Sequence, residues 1–281
     1  MKIEIKEILD ANTVRITTPD ERWYQHPETK EWLPSSTWIS GYVPSKELAI
    51  WMAKVGYDEA ERIKKERGEK GWRVHKGIEL LALGQEVFHN DTFPDADGEQ
   101  GELSAEEYEA IVSFYDWAKE VKPKFMKTEH TVFNKKIGYA GTLDCIAEIN
   151  GGVYIIDFKT SKEVYLSHEV QISSYKHCDG IYNRSKIAIL QIGYGKNKKG
   201  YKFTEIDDKF NLFLTLKRVY DIDISKPEGE QQTATDFARV YVAKNSVAVS
   251  RQIIPMQVDW TRGYWIDRKV DVKHIQLNEE F

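Results

Sequence analysis

The stretch that most constrains the fold is Gly138 to Lys159, GYAGTLDCIAEINGGVYIIDFK, in which two strand-patterned runs flank Asn150-Gly151-Gly152. An Asn-Gly pair between alternating apolar runs is the strongest short-range hairpin signal, because both turn residues can adopt positive φ. Alternation puts Tyr139, Leu143, Cys145, Ala147 and Ile149 on one face of the first strand, and Thr142, Asp144, Ile146 and Glu148 on the other. On the second strand Val153, Ile155, Asp157 and Lys159 alternate with Tyr154, Ile156 and Phe158. A turn at Asn150-Gly151 pairs Ile149 with Gly152 and sets Asp144 opposite Asp157. A turn at Gly151-Gly152 makes Asp144 the diagonal neighbour of Asp157 instead. In both registers two carboxylates share a face with Lys159, and like charges so placed repel. A solvated pair neutralised by the lysine is one reading. The other is a divalent cation between the carboxylates, with the lysine acting on a reacting group.

The chain is 281 residues long, which predicts one large domain or one domain with appendages. A hydrophobic fraction of 41% with 12% aromatic residues supplies a substantial core, and no apolar run approaches a membrane span. The N-terminal MKIEIKEILD lacks the apolar core of a signal peptide. The two cysteines, Cys145 and Cys178, form no disulfide framework and are too few for an all-cysteine iron–sulfur site, so a cytoplasmic setting is expected. The net charge of −5 argues against nonspecific nucleic-acid binding, but charge distribution matters more than the sum. One basic run spans Arg62 to Lys76. A second comprises Arg184, Lys186, Lys196, Lys198, Lys199 and Lys202 without an intervening acid. Each suits phosphate contacts or an ordinary solvated surface.

In chain order, Lys2 to Thr18 predicts a hairpin, and Asp20 to Ser35 reads as irregular and aromatic. Ser45 caps a helix with Leu48, Trp51, Met52 and Val55 as its stripe. A charged stretch from Asp58 to Lys70 follows, which Gly71 interrupts. A second helix is predicted from about Trp72 to Phe88, with His75 bordering the stripe of Val74, Ile78, Leu81 and Phe88. Asn90 to Glu102 reads as a loop. Ser104 and Glu107 form a capping box for a helix through Val121. A strand at Lys124 to Asn134 carries Glu129, and the hairpin follows. A helix from about Ser167 to Cys178 presents Gln171 and Tyr175 on one side. A strand at Lys186 to Tyr194, a basic turn, a strand at Tyr201 to Ile206 and a helix capped by Asp207 or Asp208 complete the pattern. A polar linker at Pro227 to Thr235 leads to a mixed tail. The division expected is 1–44 as an N-terminal accessory segment, 45–225 as the core and 226–281 as a C-terminal appendage.

Taken together, Gly71-x-x-x-His75, Gly141-x-x-Asp144, Asp157-Phe158-Lys159 and Gln171-x-x-x-Tyr175 resemble the motifs of the PD-(D/E)XK nuclease superfamily, in its RecB-like exonuclease branch. The resemblance covers about Gly71 to Tyr194, with Leu143 where the family name has proline. It implies an α/β, restriction-endonuclease-like core: a central mixed sheet flanked by helices, with an N-terminal β-hairpin and a C-terminal appendage. It also implies a metal-dependent DNA exonuclease serving recombination, repair or phage DNA processing. His75, Asp144, Asp157 and the Phe158 carbonyl would hold magnesium or manganese, and Lys159 would act on the attacking water and the phosphate. Gln171 and Tyr175 would organise the site and contact the nucleic acid, and Glu129 would stand beside the metal. No iron–sulfur cluster is expected. The implied partners are single-stranded DNA or duplex ends and a recombination or single-strand-binding protein, with no membrane. The alternative is a nucleic-acid-binding recombination partner that keeps the nuclease fold and acts with another protein.

Overall fold

The computed structural model describes residues 2–8, 13–17, 22–94, 100–178 and 184–224, together with 253–255, 258–259 and 264–265. The turn of the expected N-terminal hairpin and the linker at Pro227 to Thr235 lie outside these residues, as does nearly all of the tail.

The predicted N-terminal hairpin is present: β1 (Lys2–Ile8) pairs antiparallel with β2 (Val14–Thr17). The stretch read as irregular is instead two further strands, β3 (Arg22–Gln25) and β4 (Trp32–Pro34). Their aromatic side chains favour a half-buried pleated surface over a loop, and Trp23 and Tyr24 are almost fully buried. Pro34 is tolerated because β4 is outermost in its sheet. A short helix, α1 (Ser36–Ser40), follows, and then α2 (Lys46–Val55), where Ser45 Oγ accepts from the Leu48 N–H at 3.2 Å. No residue of α2 is buried, so its apolar stripe is half-exposed.

Gly71 does not divide the next segment. One helix, α3 (Tyr57–Ala82), runs through the charged stretch and the His75 region alike. Its first half is laced by i,i+3 and i,i+4 pairs, Arg62 with Glu59 and Glu66 and Lys64 with Glu61, which support a helix that buries little. The helix ends at Ala82, before Gly84 at φ 77°, so Phe88 falls outside it and is exposed. The loop read at Asn90 to Glu102 contains a small antiparallel pair, β5 (Thr92–Pro94) and β6 (Gln100–Glu102). The capping box opens α4 (Ala105–Val121) as expected, with the Glu107 carboxylate accepting from the Ser104 N–H at 2.6 Å.

The central sheet comprises β7 (Lys124–Asn134), β8 (Tyr139–Ile149), β9 (Gly152–Lys159), β10 (Lys186–Tyr194) and β11 (Gly200–Glu205), in the order β11-β10-β9-β8-β7. The β9–β10 pair is parallel and is bridged by α5 (Leu166–Lys176), as a parallel crossover requires. β8–β9 and β10–β11 are antiparallel, so the sheet is mixed. α6 (Phe210–Ile224) follows, the Asp208 carboxylate accepting from the Phe210 N–H at 3.0 Å. Among the described residues no helix is long and apolar enough to cross a membrane.

The chain forms two compact units. One comprises 1–42, 133–141 and 213–281; the other comprises 43–132 and 142–212. In the first, the strand order is β12-β1-β2-β3-β4, with β12 at Ile253–Pro255, and Tyr24, Leu33, Phe133 and Ala140 cluster. In the second, Val74 and Ile78 of α3 and Ile111, Phe114 and Trp117 of α4 pack on Cys145, Ile156, Phe158, Leu190 and Ile192 of the sheet.

Two glycines of α3 lie in opposite circumstances. A Cβ on Gly77 would come within 2.5 Å of Ile111 Cδ1, so glycine permits the close approach of α3 to α4. A Cβ on Gly71 would meet only Thr160 Oγ1, at an ordinary 3.8 Å. Gly77→Val is expected to destabilise by about 1–3 kcal/mol through overpacking. Gly71→Ala is expected to stabilise by up to about 1 kcal/mol through helix propensity. Urea denaturation of the two variants should give opposite signs.

Candidate metal centre

The hairpin takes the tighter of the two registers. Asn150 at φ 49° and Gly151 at φ 76° form the two-residue turn, and Ile149 pairs with Gly152. Backbone pairing ends at Cys145 with Ile156, and Asp144 and Asp157 are the next residue along each strand. There the Asp144 carboxylate turns onto the neighbouring backbone, where Oδ2 accepts from the Phe158 N–H at 2.7 Å. Lys159 Nζ lies 2.6 Å from Asp157 Oδ2. That contact is a short, buried, charge-assisted pair.

α3 brings His75 to the same place. Val74 and Ile78 are buried in the core, which fixes the helix rotation and leaves His75 at its border. His75 Nε2 is 3.1 Å from the Phe158 carbonyl oxygen, and Nδ1 is 3.6 Å from Asp144 Oδ1. Glu129 completes the group from β7. One ligand atom each from His75, Glu129 and Asp144 lie within 4.8 Å of one another. Glu129 has φ 46° in mid-strand, a left-handed conformation costing about 1–3 kcal/mol that tends to persist at functional sites.

The charges are interdependent. Burial opposes the His75 imidazolium, but Asp144 and then Glu129 outweigh it and hold the ring protonated up to about 9, although its side chain is 25% exposed. Burial likewise opposes the Asp144 carboxylate, and His75, Lys159 and the Phe158 N–H together bring it below the ordinary range. Burial pushes Asp157 up to about 6, with Asp144 adding to the rise and Lys159 resisting it. Burial and Asp144 push Glu129 up to about 7. Lys159 is raised: burial lowers it, and Asp157 and Asp144 more than compensate. Its ammonium therefore keeps its proton.

This donor set fits a hard divalent cation. Carboxylate oxygens, a carbonyl and one imidazole suit magnesium or manganese, the nitrogen favouring manganese. Neighbouring ligands about 2.1 Å from one ion stand roughly 3 Å apart, which is the separation of His75 Nε2 and the Phe158 oxygen.

Gln171 and Tyr175 form a pair on α5, with Gln171 Nε2 donating to the Tyr175 hydroxyl at 2.8 Å. Tyr175 is only 1% exposed, so the pair acts by organising α5, which packs against β9 and β10, and any reach to solvent belongs to Gln171. Sequence reasoning missed two neighbours. Gln191, a lone amide in an apolar strand, pairs in register with Lys159 and donates from Nε2 to the Ser161 carbonyl at 2.9 Å. Its interruption of the run IAILQIGY was the available signal. His168 lies within the field of Lys159, and nothing in its sequence context marks it. No protein-family model matches the chain, and no curated protein sequence matches it.

His168 generates a stability prediction. Its Nδ1 accepts from the Tyr165 N–H at 3.4 Å, which requires a neutral ring. Burial first and Lys159 second push it down to about 3. The unfolded chain takes up this proton below about 6.5 and the folded protein does not, so His168 stabilises above that pH and the contribution is lost as pH falls toward 3. Since the ring is partly exposed, a loss of about 1–2 kcal/mol between pH 6.5 and 4.5 is expected. His168→Asn should flatten the acid limb of a melting-temperature profile taken in chelator. The difference between the two proteins separates His168 from the carboxylates.

Proposed function

We propose that the protein is a divalent-metal-dependent deoxyribonuclease of the PD-(D/E)XK superfamily, with a restriction-endonuclease-like core, and that it acts as an exonuclease of the RecB-like branch. The observation that carries this reading is the convergence of Asp144, Asp157, Lys159, His75 and the Phe158 carbonyl on one end of the β8–β9 hairpin. A buried carboxylate pair opposed in a sheet is unfavourable without a compensating cation, and nucleases of this kind need such a cation. The mixed sheet, with an upstream helix supplying the histidine and a crossover helix after the lysine, supports the same reading.

His75, Asp144, Asp157 and the Phe158 carbonyl would hold the ion, with Glu129 beside them. When bound, magnesium or manganese supplies positive charge to the phosphate and acidifies water. The remaining work belongs to the chain. Lys159, fixed at Asp157 and still protonated, donates from Nζ to the attacking water or a phosphate oxygen, so it orients and stabilises rather than abstracting a proton. The Phe158 N–H holds Asp144 in its ionised form.

Asp157→Asn and Lys159→Ala should each lower cleavage of linear DNA by at least about 100-fold, the scale of losing one charge-stabilising group, while leaving the circular-dichroism spectrum unchanged. Chelator should abolish cleavage by the native protein. Full activity in Asp157→Asn would remove the assignment. Saturating manganese should raise the melting temperature by about 5–10 °C, the size expected for a ligand near 100 times its dissociation constant. Asp144→Asn should lose that shift and His75→Ala should need more manganese to reach it.

A further inference from the structure

The register of the sheet extends the candidate centre sideways. Lys159 of β9 pairs with Gln191 of β10, and Gln191 pairs with Lys202 of β11. Aligned residues on adjacent strands project from the same face, so these three form a row of about two strand spacings, roughly 10 Å. Burial agrees, because their sequence neighbours Phe158, Leu190, Ile192, Tyr201 and Phe203 all pack into the core on the opposite face. Gln191 is 2% exposed and spans the middle of the row, whereas Lys202 at its end is exposed.

Strict alternation would place Tyr194 with Ile192, toward the core. A β-bulge prevents this. Ile192 pairs with Tyr201 and Tyr194 with Gly200, so Gly193, at φ 62°, is an extra residue that shifts the parity. Tyr194 therefore turns to the Lys202 side, and Lys202 Nζ lies 5.9 Å from the centre of its ring. The bulge is anchored on α4, where the Gly193 N–H donates to Ser113 Oγ at 2.9 Å. A Cβ on Gly193 would come within 3.1 Å of Ala110 Cβ. The turn beyond is equally fixed: Asn197 Oδ1 accepts from the Lys199 and Gly200 N–H groups, each at 3.0 Å. Lys196 and Lys199 are neutralised by Glu163 and Glu120. Lys202 makes no close salt bridge among the described residues, and its charge acts at longer range on Glu163, which is itself paired with Lys196.

We propose that Lys202 and Tyr194 form a binding strip for a single strand of nucleic acid next to the centre. Lys202 takes a backbone phosphate, and the half-exposed ring of Tyr194 stacks an unpaired base. Stacking platforms beside a cation are how single strands are held without sequence readout. An anchored bulge that swings an aromatic ring out of the core to lie beside a lysine with no close carboxylate partner fits that use. This inference rests on the nuclease reading and specifies which part of the substrate is held, and where.

The test is anisotropy of a short labelled oligothymidine strand over a salt series, with Asp157→Asn as the parent protein so that binding is read without cleavage. Lys202→Gln should weaken binding about 3–10-fold and reduce the salt slope by about 0.7, one phosphate contact. Tyr194→Leu should weaken it about tenfold with the slope unchanged, and Tyr194→Phe should restore it. Lys119→Gln removes a similar lysine–tyrosine pair, 6.0 Å from the Tyr115 ring on α4 against the other face of the sheet, and should change nothing. Unaltered affinity and slope in both Lys202→Gln and Tyr194→Leu, with the parent still binding, would overturn the strip alone. Losses confined to a blunt duplex of the same length, or matched by Lys119→Gln, would also overturn it. A parent that binds no strand, alongside native protein that cuts none, would remove the nuclease reading itself.

Discussion

Two carboxylates face each other across one step of an antiparallel hairpin, and the surrounding structure is arranged around their repulsion. Asp144 is answered by the Phe158 N–H and by the His75 imidazolium, and Asp157 by the Lys159 ammonium. The answers come from β9 and α3 while Asp144 stands on β8, so the carboxylates can share a face only if all three elements hold their places. The balance is incomplete, because Glu129 adds a third carboxylate. Cationic side chains and protons stand where a divalent ion would do better. That electrostatic deficit is the physical root of the proposed metal dependence.

The scaffold that maintains this arrangement is close helix packing. Gly77 lets α3 lie against Ile111 of α4, and the buried Arg73–Glu107 pair, at 2.7 Å, joins α3 to the capping box of α4. Glu107 thus serves twice, closing the α4 N-terminus and holding the helix that carries His75. Removing Arg73 would strand the buried Glu107 carboxylate, so this pair fixes the helix that bears the histidine. The other side of the hairpin is fixed by parallel pairing to β10, whose Gln191 ties down the chain just beyond Lys159.

Local rules made much of this legible. The Asn-Gly turn, the capping box and the alternation of β8 and β9 all appeared in the sequence because each depends on residues a few positions apart. Reading failed where compensation is longer in range. Gly71 looked like a break, yet ion pairs on the preceding turns carry α3 through it. The aromatic segment before Ser35 looked irregular, yet its strands exist because a sheet was there to receive Trp23 and Tyr24.

The sequence by itself determined the hairpin, the shared face of Asp144, Asp157 and Lys159, and the order of elements carrying His75, Glu129 and the Gln171–Tyr175 pair. Periodicity and turn chemistry are properties of neighbours along the chain. Only the tertiary structure decided that Glu129 joins His75 and Asp144 despite its strained backbone. Only it set Gln191 and Lys202 in line with Lys159, and turned Tyr194 toward them through an extra residue at Gly193. Strand register and bulges are fixed by pairing between segments distant in sequence, and one inserted residue reverses every later side chain.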